Sequence, residues 1–342
     1  MKNRVAMAVA AVLLALAGTA QAQTKTVIKY AISDPDGPTP AAQALKIFKN
    51  YVEFRSGGSL EVQTFFGSMG DARQTTEQVK LGVLQMTNAE DGAFAGFYPR
   101  IQAINLPYLF PSAAVAWDFM RGDFARRMAD DIRQKTGMVV LAFTENGFRN
   151  ITNNAHEVDK PDDMKGLKMR VMQSPVFIEM MKSMGAGATP IPINELILAL
   201  KQNIVDGEEN EPVFMNNWGI GDVQKYMTMT EHVFSTQLYL INAPFFASLT
   251  PDQQAALSAG AQLASMQNIV VREGQSSQAI EAMKQKGMQV RMLTAAEKNV
   301  FRQATQPPVL AYLKSQLGDE FMDNLLKAVA EAETHTGATP TN

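Results

Sequence analysis

The sequence predicts an α/β protein of two hinged lobes braced by one long helix, on three observations. Strand-like and helix-like segments alternate from Thr26 to Asn88, and the alternation restarts at Met138. An Ala- and Gln-rich stretch from Pro251 to Lys286 is interrupted only by Gly260 and Gly274. The alternation gives sheets covered by helices. The long stretch, at about 1.5 Å per helical residue, is able to span both lobes.

Thr26–Ser33 is β-branched and alternating, an opening strand that Asp34-Pro-Asp-Gly-Pro38 ends. From Ala41 to Phe54 the apolar residues Ala42, Leu45, Phe48 and Val52 fall near helical spacing, and Ser56-Gly-Gly-Ser59 closes the helix. A strand at Leu60–Phe66, a helix at Gln74–Leu81 and a short strand at Leu84–Asn88 complete the first alternation. A helix over Ala113–Gln134 leads to an apolar strand at Met138–Phe143. The polar run Asn146–Thr152, containing Gly and Asn, is expected to cross between the lobes. Strand Leu167–Val171 and helices Pro175–Met184 and Asn194–Gln202 build the second lobe, and the strand His232–Ile241 returns to the first. These crossings assign 24–146 plus 235–275 to the first lobe and 147–234 plus 276–333 to the second. The polar tail 334–342 is expected to be disordered.

The ends and the composition bound the function. Lys2 and Arg4 precede an apolar run from Val5 to Ala17, and Ala20-Gln21-Ala22 has the small-x-small pattern of a signal-peptidase site, so residues 1–22 are expected to be a signal peptide. The run is shorter than the ~20 residues a membrane span needs. Loss of Lys2 and Arg4 takes the formal charge from −3 to −5, and an acidic chain without basic runs is poorly suited to nucleic acid or anionic membrane. With 0 cysteines there is no disulfide and no thiol nucleophile. His156, His232 and His335 lack ligand spacing and are expected at surface or turn positions, so neither metal nor cofactor is implied. The 21 methionines read as core filler rather than copper ligands. No Gly-rich phosphate loop and no Gly-x-Ser-x-Gly elbow occurs.

Three stretches carry a more specific expectation: Gly166–Val171 (GLKMRV), Thr189–Pro192 (TPIP) and Val205–Asn210 (VDGEEN). Together with Phe66–Asp71, Asn105–Phe110, Val223–Tyr226 and Thr230–Val233, in this order over nearly the whole mature chain, they resemble the solute-binding proteins of tripartite ATP-independent periplasmic (TRAP) transporters. The resemblance implies the two-lobe periplasmic binding protein fold with hinge strands and a bracing helix. It implies a periplasmic receptor rather than an enzyme, and the repeated lobe crossings without a recognisable oligomerisation seam point to a monomer. Its ligand is then an organic acid, such as a C4-dicarboxylate, a keto or hydroxy acid or a sugar acid. Delivery goes to the small and large membrane subunits of a TRAP permease.

The same resemblance sets Arg170 and Asn210 facing one cleft, with Arg170 on the ligand carboxylate. An arginine suits that task because its guanidinium is permanently charged and pairs bidentately with a carboxylate. Arg170 also closes a predicted strand, where open α/β sheets place their ligand crevice; an ion pair with Asp163 is the structural alternative. Arg149 matches a second family arginine or is a surface charge beside Asn150. Asn210, after Asp206-Gly207, is either a ligand amide or a turn residue. Glu90 falls where some members hold a ligand hydroxyl or amine, and it repels a second carboxylate. Ala93 stands where the sialic-acid binders carry a further arginine. Ser33 and Ala72 leave the first-lobe side of the cleft uncrowded, and Ile193 supplies an aliphatic wall where the family often has phenylalanine. Trp218 either stacks on the ligand or fills the core.

Glu208 and Glu209 read as solvated acids in a turn. Neighbours in sequence usually point apart, and no histidine or hydroxyl nucleophile is expected beside them. The rival to a receptor is an exported lyase or hydrolase acting on an acid sugar through Glu90 and Glu209. A sensor-input binding protein is a third reading.

Overall fold

The computed structural model describes residues 25–338, so the expected signal peptide and the end of the expected tail lie outside the described residues. β1 (Thr26–Ile32), α1 (Pro40–Arg55), β2 (Leu60–Phe66), α2 (Ala72–Lys80) and β3 (Met86–Glu90) follow the expected alternation. β1 lies between β2 and β3, parallel to both. Both helices start on side-chain caps: Thr39 Oγ1 accepts from the Ala42 N–H at 3.1 Å, and Asp71 and Gln74 form a reciprocal capping box. β3 runs two residues further than expected, which makes Glu90 its last residue, and the short helix α3 (Asp91–Phe94) follows directly. The single helix expected over Ala113–Gln134 is two, α4 (Ala113–Arg121) and α5 (Asp123–Thr136). Gly122 breaks it, extended at φ −76° and ψ 175°, with its N–H bonded to the Phe119 carbonyl.

The crossing expected at Asn146–Thr152 is itself part of a strand. β4 (Met138–Asn153) continues straight through it. β5 (Lys168–Val171), α6 (Pro175–Ser183), β6 (Gly187–Pro190), α7 (Ile193–Lys201) and β7 (Gly207–Asn210) then form the second lobe, with β5 parallel to both β6 and β7. α8 (Pro212–Asn217) leads to β8 (Tyr226–Asn242), which returns antiparallel to β4. Strands of 16 and 17 residues extend roughly 50 Å at about 3.3 Å per residue, long enough to belong to both lobes. β3 flanks β8 at one end and β7 flanks β4 at the other, so the two lobes share one continuous sheet.

The register between β4 and β8 slips at Val140/Ala142, Glu145/Gly147 and Arg149/Ile151, and such bulges bend a strand. Gly147, at the middle slip, has a φ of 100°, and a Cβ there would meet Glu211 Cγ at 2.7 Å. Beyond α9 (Ala243–Ser248), α10 (Pro251–Gln285) runs for 35 residues, packing on α1 at one end and α8 at the other. It grips β4 at alternate carbonyls. Gln262 Nε2 donates to Leu141 at 3.0 Å, Ser265 Oγ to Phe143 at 2.6 Å and Asn268 Nδ2 to Glu145 at 2.8 Å. Three residues along the helix thus match two along the strand.

After β9 (Gln289–Met292), which pairs with β8, come two helices that the sequence reading did not contain, α11 (Ala295–Leu317) and α12 (Asp319–Thr336). α12 packs on α4 and α5: Phe321 meets the Phe124 ring at 5.4 Å, and His335 Nδ1 lies 3.0 Å from Asp118 Oδ2. Residues 319–333, expected with the second lobe, thus pack on α4 and α5. Residues 334–336, expected to be disordered, continue α12. Ile28, Leu45, Phe48 and Leu257 pack one core in the first lobe, and Leu196, Met215, Met227 and Met283 pack another in the second. No helix among the described residues is long and apolar enough to cross a membrane.

Candidate functional site

β1 and β3 from the first lobe and β5 and β7 from the second all end at one cleft, as open α/β sheets direct. Ser33, Ala72 and Glu90 line it from one side and Arg170, Ile193 and Asn210 from the other. The space between the lining atoms, open mouth included, is about 630 Å³. Arg149 and Trp218 are not among its walls.

Arg170 is 3% exposed, and its Nε donates to the Ile191 carbonyl at 2.8 Å. That bond fixes the plane of the guanidinium, since Ile191 follows β6, the neighbour of β5. The terminal nitrogens make no hydrogen bond among the described residues, and the nearest carboxylate, Glu208 Oε2, is 3.9 Å from Nη1. Burial lowers the pKa of Arg170 and Glu208 opposes it, but a guanidinium stays charged at any physiological pH. Asp163 is not its partner: that carboxylate accepts from the Asp159 and Lys160 N–H groups, both at 3.0 Å.

Asn210, expected in a loop, ends β7. Its Oδ1 accepts from the Glu211 N–H at 3.1 Å and from Asn146 Nδ2 at 3.4 Å, which orients the amide NH₂ as the remaining donor. Glu90 is held in place by its neighbour. The Asp91 carboxylate accepts from Ser235 Oγ at 3.0 Å and from the Thr236 N–H at 2.6 Å, tying the end of β3 to β8. Burial raises the Glu90 pKa, Arg149 lowers it, and Asp91 raises it further.

The two glutamates read as solvated turn acids are both 0% exposed, because β7 lies inside the sheet between β4 and β5. Strand parity separates them. Glu209 takes Arg149, with Nε to Oε2 at 2.5 Å and Nη2 to Oε1 at 3.0 Å, and His232 Nε2 lies 3.2 Å from the same Oε2. Arg149 is therefore no surface charge but a wholly buried one. Its Nη1 reaches only to 4.0 Å from Glu90 Oε2 and has no hydrogen-bond partner. His232 is likewise buried rather than at the surface, and it accompanies Glu209 where no histidine was expected. Burial would raise the Glu209 pKa, but Arg149 and His232 overcome it and the net shift is downward. Glu208 has neither partner, and both its carboxyl oxygens lack a hydrogen bond. Burial pushes it up to about 8, with Arg170 opposing and Glu209 adding to the rise.

Trp218 stacks on Phe214, centroids 5.3 Å apart at 19°, and it is Phe214 that faces the cleft. Sequence reasoning missed Phe214 together with Asn88, Gln173, Gln237 and Arg73. Asn88 and Gln237 lie within the strands β3 and β8, and only the pairing of Glu90 with Gln237 brings them to the same wall. Arg73 had a signal, since it follows the Asp71 cap in the Phe66–Asp71 motif.

A cleft between two lobes that share crossing strands, with a buried cation open to it, is the architecture of an extracellular solute receptor. The chain matches the bacterial extracellular solute-binding proteins, family 7, over residues 35–316 and belongs to that family, whose members serve TRAP transporters. It is 34% identical to a solute-binding protein of Verminephrobacter eiseniae over 83% of this chain and 84% of that one. It is 31% identical to the 2,3-diketo-L-gulonate-binding periplasmic protein of Escherichia coli over 85% and 87% of the two chains. The sugar acid binding protein of Advenella mimigardefordensis, solved in complex with galactonate, superposes with a TM-score of 0.86 at 28% identity, covering 90% of this chain and 99% of that one.

Proposed function

We propose that this protein is a periplasmic, monomeric receptor that captures a sugar acid, with one carboxylate and several hydroxyls, and hands it to the membrane subunits of a TRAP permease. The observation that carries the reading is Arg170: buried, its plane fixed by the Ile191 carbonyl, and its terminal nitrogens without acceptors at the cleft wall. A carboxylate supplies two acceptors in the matching geometry. The Asn210 amide adds a donor beside it. Opposite, Asn88, Glu90 and Gln237 offer polar groups suited to hydroxyls, and Phe214 offers an apolar face. Glu90 on the wall opposite Arg170 repels a second carboxylate there, which favours a monocarboxylate over a C4-dicarboxylate. The relative named for 2,3-diketo-L-gulonate and the one solved with galactonate support the same class. Catalysis through Glu90 and Glu209 finds no support, since Glu209 is occupied by Arg149 and does not line the cleft.

The test is isothermal titration of the mature protein with D-galactonate, 2,3-diketo-L-gulonate and succinate, with each mixture assayed for turnover. Stoichiometric saturation by a sugar acid, without product, is expected. Arg170→Ala should lose two to four decades of affinity, since breaking a buried charged pair costs ~3–5 kcal/mol at about 1.4 kcal/mol per decade. Arg170→Lys should recover only part, because an ammonium lacks the planar fork. Near-wild-type affinity in folded Arg170→Ala, or a preference for succinate, would sink the reading.

A further inference from the structure

We propose that this cleft captures a carboxylate with Glu208 protonated, so that binding takes up a proton wherever the ligand-free Glu208 is ionised, an inference that rests on Arg170 being the carboxylate's partner. Glu208 is wholly buried on β7, both its oxygens lack hydrogen bonds, and the cation it faces at 3.9 Å is the one left open to the cleft. Arg149 also favours the Glu208 anion, but less than Arg170 does, and its own hydrogen bonds go to Glu209. Glu209 on its own strand is an anion taken up by Arg149 of β4 and by His232 of β8, and Glu90 of β3 faces Arg149 and Arg170 as well. The Asn210 amide, two residues along β7, favours the anion only weakly beside burial and Arg170.

Charge counting then decides the state in which an anion is admitted. An ionised Glu208 would hold the charge of Arg170 for itself, because Arg149 is already taken by Glu209, and an incoming carboxylate would then compete with Glu208 for the same cation. With a proton on Glu208, the Arg170 cation is left for the ligand. The proton comes from solvent and forms an O–H bond on a Glu208 oxygen; no other bond changes. A bound carboxylate at Arg170 adds a second anion near Glu208 and strengthens its hold on that proton. The ligand-free carboxyl, raised by burial to about 8, is poised to show this in an accessible range.

The experiment is titration calorimetry with D-galactonate, or the tightest binder of the three acids above, from pH 7 to 9 in paired buffers of different ionisation enthalpy. Wild type should take up a small fraction of a proton at pH 7 and close to one at pH 9. Its affinity should weaken about tenfold over that interval, the linkage expected of one group titrating near 8. Glu208→Gln should bind with an affinity that no longer depends on pH and with a buffer-independent enthalpy. Glu90→Gln, whatever its affinity, should keep the wild-type pH slope. Buffer-independent enthalpy in wild type overturns the coupling without any variant, as does a wild-type slope in Glu208→Gln or a slope lost only in Glu90→Gln. If none of the acids binds at any pH, the reading of the cleft itself fails and the coupling falls with it.

Discussion

Arg149 and Arg170 are both buried cations, yet only Arg149 is neutralised within the protein, and this difference separates a structural charge from a receptive one. Arg149→Ala leaves Glu209 buried beside His232 alone and should cost ~3–5 kcal/mol of stability by urea denaturation. Arg170→Ala, which strands no ionised partner, should cost much less. The two glutamates should respond oppositely to pH. Glu209 has a folded pKa below the ordinary ~4.3, so its contribution is complete above that value and is lost as the pH falls through the folded one. Glu208 has a raised folded pKa, so the folded state binds more protons and stability declines as the pH rises from about 4.3 towards 8. Glu208→Gln should accordingly gain in Tm relative to wild type between pH 5 and pH 8; no relative gain would mean that Glu208 is ionised at neutral pH. Arg170, Asn210 and Glu90 were legible as candidates because they sit in recognisable motifs at strand ends. The burial of Glu208, Glu209 and His232 was not, because Asp-Gly-Glu-Glu has the composition of an exposed turn. The neighbours that bury it come from β4 and β5, far away in sequence.

At the level of elements, β4 slips against β8 at three points, and Gly147 at the middle one has a left-handed backbone with no room for a Cβ. Gly147→Ala must accept a left-handed backbone and displace Glu211, which also caps α8 through the Val213 and Phe214 N–H groups. A loss of about 1–3 kcal/mol is expected in thermal denaturation, with altered ligand association kinetics; an unchanged Tm would show that the bulge relaxes freely. Local pattern revealed most elements of the first lobe and the long helix α10. It failed where elements are short or internally contradictory. β7 has four residues, three of them polar, and α11 contains Pro307 and Pro308, which read as a break although the helix continues through them. The Asn146–Thr152 run showed the crossing but not its extended backbone, since Gly and Asn signal a loop as readily as a bulge.

Over the whole molecule, the cleft walls come from both lobes while the sheet runs unbroken between them, so a ligand that touches both walls stabilises the closed arrangement. The radius of gyration from small-angle scattering should fall on saturation with a bound sugar acid, and an unchanged radius would count against closure. The two-lobe plan was readable in sequence from repeated alternation and crossing segments. The packing of α12 on α4 and α5 was not, because it depends on long-range contacts such as Phe321 with Phe124. The grip of Gln262, Ser265 and Asn268 on β4 has a mechanical consequence. Over Leu141–Glu145 strand and helix behave as a bonded laminate in which sliding between the layers is blocked. Among the described residues α10 donates no further side-chain bond to the β4 backbone, so the bending that closure needs is expected at the register slips just beyond, between Gly147 and Ile151. The lobes should then turn about one short axis instead of flexing along the whole strand, and slow amide exchange up to Glu145 should give way to faster exchange across the slips.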